Sequence, residues 1–194
     1  SSTGMMCPPH SDKWSAAPSR HGLLCGYGVN AARATWIVAV APLTTAPTKR
    51  LAVQPVIVPI LRAGLGFVHA AQDLLPNADV GFIGISRDEE TFEPKPYVNK
   101  LPEQLANRPI IVVDPMLATG GSLVHTVELL LARGATPPIT VVCALAAPEG
   151  IERLREANLD LRVITAAIDD HLNEHAFIVP GLGDAGDRQF GTGS

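Results

Sequence analysis

The residues best suited to chemistry lie in one stretch, Val112-Val113-Asp114-Pro115-Met116-Leu117-Ala118-Thr119-Gly120-Gly121-Ser122. An apolar run delivers the chain to a loop of small residues, two hydroxyls and two glycines, and a helix-forming run follows at once. The first N–H groups of a helix have no intrahelical acceptor and carry the positive end of the helix dipole. Together with the hydroxyls of Thr119 and Ser122 they make an anion site of the kind that holds a phosphate. Gly120 and Gly121 let the backbone come close to such a ligand. The stretch lacks the Gly-x-x-x-x-Gly-Lys pattern of ATP-binding loops and the Gly-x-Gly-x-x-Gly of dinucleotide folds. A bare Thr-Gly-Gly-Ser can equally turn the chain and cap a helix. Asp114, set directly after the apolar run, tips the balance toward a ligand site.

The elements that must position this loop read as an alternation of strands and helices. Val56 to Ile60, Val80 to Ile85, Pro109 to Val113, Ile139 to Ala146 and Leu161 to Ala166 are short, mostly apolar runs, expected as five buried strands. Gly64 to Leu75, Ser122 to Arg133 (stopped by Gly134) and the segment opened by Pro148 are the helices between them. Apolar strands alternating with helices predict an α/β domain with a mostly parallel five-stranded sheet and helices on both faces. Ligands of such sheets bind at the carboxyl ends of strands. That rule directs attention to Arg62, the segment after Ile85, the Asp114 loop and whatever follows Ala166. An isolated arginine is often a surface ion pair, but a guanidinium fork at a strand end also suits bidentate pairing with phosphate.

Composition removes other classes of function. The 15 basic and 19 acidic side chains give a net charge of −4 with no Lys/Arg run, which argues against a nucleic-acid face built on clustered cations. Cys7, Cys25 and Cys143 are far apart and odd in number, so neither a disulfide scaffold nor a zinc ribbon is expected, and a reducing cytoplasm fits. Cys143, within a strand, reads as a small hydrophobe. The apolar stretch Thr35 to Leu43 is too short to span a bilayer. Leu24 before Cys25 fits signal cleavage poorly, so no targeting segment is expected. Residues 1 to about 50 show no sustained period. Residues 87–108 form a long polar segment with three prolines and the acids Asp88, Glu89, Glu90 and Glu93, read as a functional hood or a disordered stretch, with the acids a solvated loop rather than a metal site. His125 reads as a helix-surface or satisfied residue, and His175 as part of an Asn173-Glu174-His175 turn.

Asp114 to Ser122 resembles the phosphoribosyl-pyrophosphate (PRPP) loop of type I phosphoribosyltransferases, in the form of the uracil-specific branch. Further blocks resemble the same branch: Val58-Pro59-Ile60-Leu61-Arg62-Ala63-Gly64-Leu65-Gly66, Arg87-Asp88-Glu89-Glu90-Thr91, Ala146-Ala147-Pro148-Glu149-Gly150, Leu172-Asn173-Glu174-His175, and Ile178 through Asp187. They follow in order over residues 42–192. Residues 1–41 do not resemble the branch and read as a divergent N-terminal arm, with the transferase domain at 42–194.

The resemblance implies that Arg62, Arg87 and the loop Asp114, Pro115, Met116, Leu117, Ala118, Thr119, Gly120, Gly121 and Ser122 hold PRPP, with Asp184 beside the ribose. It implies that Ile178, Gly183, Asp184 and Ala185 in the 178–187 loop read uracil, largely through backbone groups. Arg62 and Asp184 are then the residues expected to act in catalysis, Asp184 on either the sugar cation or the uracil N1 proton. Mg2+ is expected to ride on the substrate pyrophosphate and waters, without a metal site in the protein. Unlike most type I relatives, the loop has Pro115 where a second acid would follow Asp114, and Ala118 before Thr119, which removes an obvious general base. The resemblance further implies a homodimer or higher homo-oligomer and GTP as an effector, and the altered arm bears on both. A transferase for another nucleobase and a nucleotide- and RNA-binding regulator of the same fold are the competing expectations. A membrane partner is not expected.

Overall fold

The computed structural model describes residues 34–40, 44–87 and 94–192. In chain order these form strands β1 (Ala34–Val40), β2 (Thr45–Leu51) and β3 (Val56–Leu61), then helix α1 (Leu65–Leu74). Strands β4 (Asp79–Val80), β5 (Phe82–Arg87), β6 (Pro94–Lys100), β7 (Ile110–Val113) and β8 (Met116–Leu117) precede helix α2 (Gly121–Ala132). Strand β9 (Ile139–Ala146), helix α3 (Pro148–Glu156) and β10 (Leu161–Ile168) follow, then β11 (His171–Leu172), β12 (Ile178–Val179) and helix α4 (Ala185–Phe190).

The central sheet runs β10-β9-β7-β3-β5-β6, with β4 also on β3 and β8 also on β9. The five expected strands are its parallel centre: β3 pairs with β7 and β5, and β9 with β7 and β10. The count of five needs correction to eight: Met116–Leu117, read as loop, pair with β9 as β8, and the other two strands have local reasons. The run Val80 to Ile85 is broken at Gly81, whose amide donates to the Ile57 carbonyl at 2.9 Å. Val80 therefore pairs with Ile57 in β4, and Ile83 pairs with Ile60 in β5. The second reason is β6, within the expected hood, which pairs antiparallel with β5 through Pro94 and Pro96. Prolines are tolerated there because β6 is an edge strand. The hood acids Asp88, Glu89, Glu90 and Glu93 lie outside the described residues.

The N-terminal expectation also changes in part. Ala34–Val40 and Thr45–Leu51 form an antiparallel hairpin with Ala34 opposite Leu51 and Val40 opposite Thr45. The run Thr35-Trp36-Ile37-Val38 is rich in β-branched and aromatic residues that favour strands. Residues 1–33 lie outside the described residues.

Strand order places the ligand crevice. From β3 the chain moves through α1 to β5, and from β7 it moves the opposite way through α2 to β9 and through α3 to β10. Right-handed crossovers put α1 on one face and α2 with α3 on the other. The direction reverses between β3 and β7, the switch point at which open α/β sheets bind ligands. The core lies beneath it. Val56, Ile57 and Val58 are fully buried in β3, and Val112, Val127, Leu130, Ile139 and Val141 close around them. Inside α2, Nε2 of His125 and Oγ1 of Thr126 are buried with no hydrogen-bond partner among the described residues. Of the helix-surface and satisfied readings of His125, the second fails at that nitrogen, while the residue as a whole is half-buried.

The opposite end of the sheet is fastened by Arg108. Its guanidinium donates to the Gln54 and Pro55 carbonyls at 3.0 and 3.2 Å and to Asp79 Oδ2 at 2.6 Å. Arg108→Ala is expected to lower stability by about 1–3 kcal/mol, because the partly buried Gln54 carbonyl loses its donor and the Pro55 carbonyl keeps only the Asp79 amide at 3.3 Å. Urea unfolding checks this, and an unchanged midpoint would remove the staple.

Candidate active site

The parallel strands deliver their carboxyl ends to one edge of the sheet. β3 ends at Leu61, and the chain turns through Arg62, Ala63 and Gly64 into α1, with the Gly64 amide donating to the Ile60 carbonyl at 2.8 Å. A Cβ on Gly64 would lie 2.5 Å from the Val113 carbonyl oxygen. Only glycine lets this turn lie flat against the end of β7.

From β7, the Asp114 amide donates to the Val142 carbonyl at 3.1 Å. The Pro115 carbonyl accepts from the Ala144 and Leu145 amides at 2.9 and 3.0 Å. Met116 and Leu117 then resume pairing with Leu145 and Ala146 as β8. The loop is thus pinned along β9 before it reaches Ala118 and Thr119. Gly120, at φ +77°, makes the left-handed turn that starts α2 and offers no side-chain cap to its amides. The first-turn amides of α2 are left for a ligand.

Below the loop is a cavity of about 110 Å3 lined by Asp114, Met116, Thr119, Ser122, Val141 and Cys143. Asp114 lines this cavity and is half-buried as a residue, with its carboxyl group largely cut off from water. Loss of water pushes it from 3.8 up to about 7, against a lowering hydrogen bond from the Met116 backbone. Burial likewise pushes the Cys143 thiol up to about 11. Cys143 is buried, as expected of a small hydrophobe.

Arg62 faces the C-terminal segment. Its Nη2 donates to Asp187 Oδ1 at 2.7 Å and its Nη1 to Thr192 Oγ1 at 2.6 Å, while the Thr192 hydroxyl donates to Asp187 Oδ1 at 2.9 Å. The Arg62 bond, then that from Thr192, holds the Asp187 carboxyl below the usual carboxylate range, and Asp187 raises the guanidinium in turn. Arg87 is the last residue of β5 and therefore stands at the same sheet edge.

The 178–187 loop is held by carboxylates. Asp169, directly after β10, accepts from the Gly181 amide at 3.0 Å. Its own amide donates to the Ala146 carbonyl at 2.9 Å. Glu149 Oε1 accepts from the Leu172 amide at 2.9 Å, fixing β11, which pairs with β12 through Leu172 and Ile178. The Leu172 amide holds the Glu149 carboxyl below the usual range. Ile178 and Ala185 are buried, and Gly183 sits at φ +76° with open space where a side chain would be. Asp184 Oδ1 accepts from the Asp187 amide at 2.8 Å and caps α4. Asn173 Oδ1 accepts from the His175 and Phe177 amides, so the Asn173 turn is structural, with His175 exposed on it.

The structure therefore gathers Arg62, Asp114 through Ser122, Ile178 and Gly183 through Ala185 at one sheet edge, with the Arg87 backbone beside them. Four residues that hold these in place were not singled out from sequence for that role: Asp169, Asp187, Thr192 and Gln189, whose Nε2 donates to the Ala63 carbonyl at 3.1 Å. Asp169 carried a usable signal, an acid directly after an apolar strand, as at Asp114.

A family model described as uracil phosphoribosyltransferase matches residues 24–192. The chain belongs to the uracil phosphoribosyltransferase family. The match begins within the segment read as a divergent arm. Uracil phosphoribosyltransferases of Corynebacterium efficiens and Corynebacterium glutamicum (strain R) are each 55% identical over 150 residues, covering 77% of this chain and 71% of theirs. The solved AQ2163 protein from Aquifex aeolicus is 38% identical with a TM-score of 0.75, over 82% of this chain and 76% of that one. Family membership brings with it the pentosyltransferase class of enzyme. Among the described residues no three His, Cys, Asp or Glu side chains gather as a metal site, and no helix is long and apolar enough to cross a membrane. The carboxylate at the phosphate loop is Asp114, one acid beside an anion cradle.

The raised Asp114 pKa has a measurable sign. Between 3.8 and about 7 the folded protein keeps a proton that the unfolded chain has lost, so stability falls as pH rises through that window and levels off above it. Asp114→Asn should therefore gain stability over the parent at about pH 8 and little at about pH 4. Thermal melts of both proteins across that range check it, and parallel profiles would contradict the buried carboxyl.

Proposed function

We propose that this chain joins uracil to PRPP, giving UMP and pyrophosphate. The observation that carries the reading is the anion loop at the β7 end facing a carboxylate-held glycine loop across the switch point, in a member of the uracil phosphoribosyltransferase family. In this reading the bond between C1′ and the pyrophosphate oxygen breaks and N1 of uracil bonds to C1′. The leaving oxygen takes the electron pair, and the N1 proton passes from the base to solvent water, directly or by way of the Asp184 carboxylate. The α2 amides and the hydroxyls of Thr119 and Ser122 hold phosphate oxygens, with Asp114 toward the ribose hydroxyls. Arg62 and Arg87 pair with the pyrophosphate oxygens in bidentate fashion. Fixed donors at a group that gains negative charge lower the barrier without reorganising during the step. Mg2+, riding on the pyrophosphate and waters, would supply further charge neutralisation, with Asp114 the one loop carboxylate near it.

Ile178, Gly183 and Ala185 would offer backbone groups to the acceptor–donor–acceptor edge of uracil. Cytosine would aim an amino donor at backbone donors, leaving buried groups unpaired at about 1–3 kcal/mol each. Asp184 stands between base and sugar. The β1–β2 hairpin pairs chiefly with itself, and an isolated hairpin is marginal in water. That supports a homo-oligomer in which the hairpin docks on a second copy.

The decisive assay offers uracil, cytosine, hypoxanthine and orotate side by side with PRPP and Mg2+. UMP and pyrophosphate from uracil alone are expected, with turnover lost on chelation. RNA binding at physiological salt without turnover would favour the regulator instead.

Asp184→Asn should lower the single-turnover rate with both substrates saturating. Asn retains an acceptor for the Asp187 amide, so the α4 cap survives and only the charge is removed. If the charge steadies a cationic sugar, the loss lies in the chemical step. A parental single-turnover rate would assign Asp184 to loop shape alone.

A further inference from the structure

The contact between Arg62 and the C-terminal segment joins the two halves of the site. α4 is six residues long and meets the turn after β3 through three side chains. Asp187 and Thr192 bond the Arg62 guanidinium, and Gln189 bonds the Ala63 carbonyl. Gly66 accommodates the Gln189 amide, since a Cβ there would collide with its Oε1. The three bonds among Arg62, Asp187 and Thr192 close a ring, so each group has its direction set by the other two.

A guanidinium has five N–H donors in a rigid plane, and this ring uses two of them. The side chain remains about half exposed. The remaining edge can take an anion while Asp187 keeps its hold. A long, flexible side chain is thereby held in one orientation before substrate arrives, which removes an ordering cost from binding. The same bonds tie α4, whose N-cap is Asp184, to the turn that carries Arg62.

We propose that Asp187, assisted by Thr192, is a positioning residue that orients Arg62 for pyrophosphate and couples that grip to the ordering of the base-side C-terminal segment. The inference rests on Arg62 acting at PRPP, as proposed above. It adds that occupancy of either subsite favours the other through one ion pair.

The test is a double-mutant cycle on PRPP binding, followed by calorimetry and by KM. Asp187→Ala should raise the PRPP Kd and KM about three- to tenfold while kcat changes less, the range expected of a charged pair discounted for its exposure. In an Arg62→Ala background the same change should have less than about a twofold effect, because the group it positions is gone. Thr192→Val should weaken PRPP binding in the same sense, and Thr192→Ser, which keeps the hydroxyl, should restore it. The Thr192 pair carries the test if Asp187→Ala fails to fold.

Equal effects of Asp187→Ala in both backgrounds would overturn the proposal, as would no effect in either. Tighter PRPP binding by Asp187→Ala would also overturn it, by marking Asp187 as a competitor for Arg62. If Arg62→Ala alone leaves PRPP binding unchanged, the assignment of Arg62 itself falls. A loss with Arg62→Ala but not with Asp187→Ala defeats the positioning role only.

Discussion

The parallel pairing of β3 with β7 is the constraint on which the site depends. Val56 to Pro59 lie against Ile110 to Val113 in register, and the chain leaves the two strands in opposite directions. Their carboxyl ends open into a common crevice instead of being covered by a crossover helix. Gly64 completes the arrangement, because its missing side chain lets the Arg62 turn rest against the Val113 carbonyl. A larger residue would push the turn away from the Asp114 loop and widen the space between Arg62 and the start of α2. Packing in the core and spacing in the site are here the same fact.

Carboxylates dominate the supports of this site, although its proposed ligand is strongly anionic. The arrangement is consistent because most of these acids are already engaged. Asp169, Glu149 and Asp184 each accept from a backbone amide, and Asp187 faces Arg62. A glycine-rich loop offers few side chains to pack, so neighbouring carboxylates fix it through its own N–H groups instead. Asp114, beneath the phosphate loop, is treated differently. Burial pushes its pKa up to about 7, so near neutral pH it would repel the phosphate of the proposed reading less than an exposed carboxylate.

How much was legible in the sequence follows from the range over which each feature is determined. The buried parallel strands were legible because β3 and β7 are apolar over their whole length and β9 at every position but Thr140, a local property. The phosphate loop was legible for the same reason: strand, acid, glycines and helix start are contiguous. β6 was not, since two prolines and a polar run argue for a loop until an edge position makes them acceptable. The β4–β5 break at Gly81 depends on a hydrogen bond to Ile57. Asp187 and Thr192 were illegible in their role because their partner, Arg62, is 125 and 130 residues away. The identity of the ligand came from the resemblance of ordered blocks, not from periodicity or charge.

The C-terminal segment shows why such distant partners matter. A six-residue helix cannot hold its own shape in water, since nucleation costs more than so few backbone bonds return. α4 is ordered by its Asp184 cap, by the left-handed Gly191 that ends it, and by the bonds of Asp187, Gln189 and Thr192 to the β3 turn. Only the last of these reach the rest of the domain. In the proposed reading α4 therefore borrows its tie to the domain from the pyrophosphate side, through residues that touch neither ligand, while Asp169 and β11 hold the start of the base-side loop. Had the segment been a long, self-sufficient helix, the two subsites could have been ordered independently. Because it is short, the state of the Arg62 turn and the state of the base loop are parts of one equilibrium.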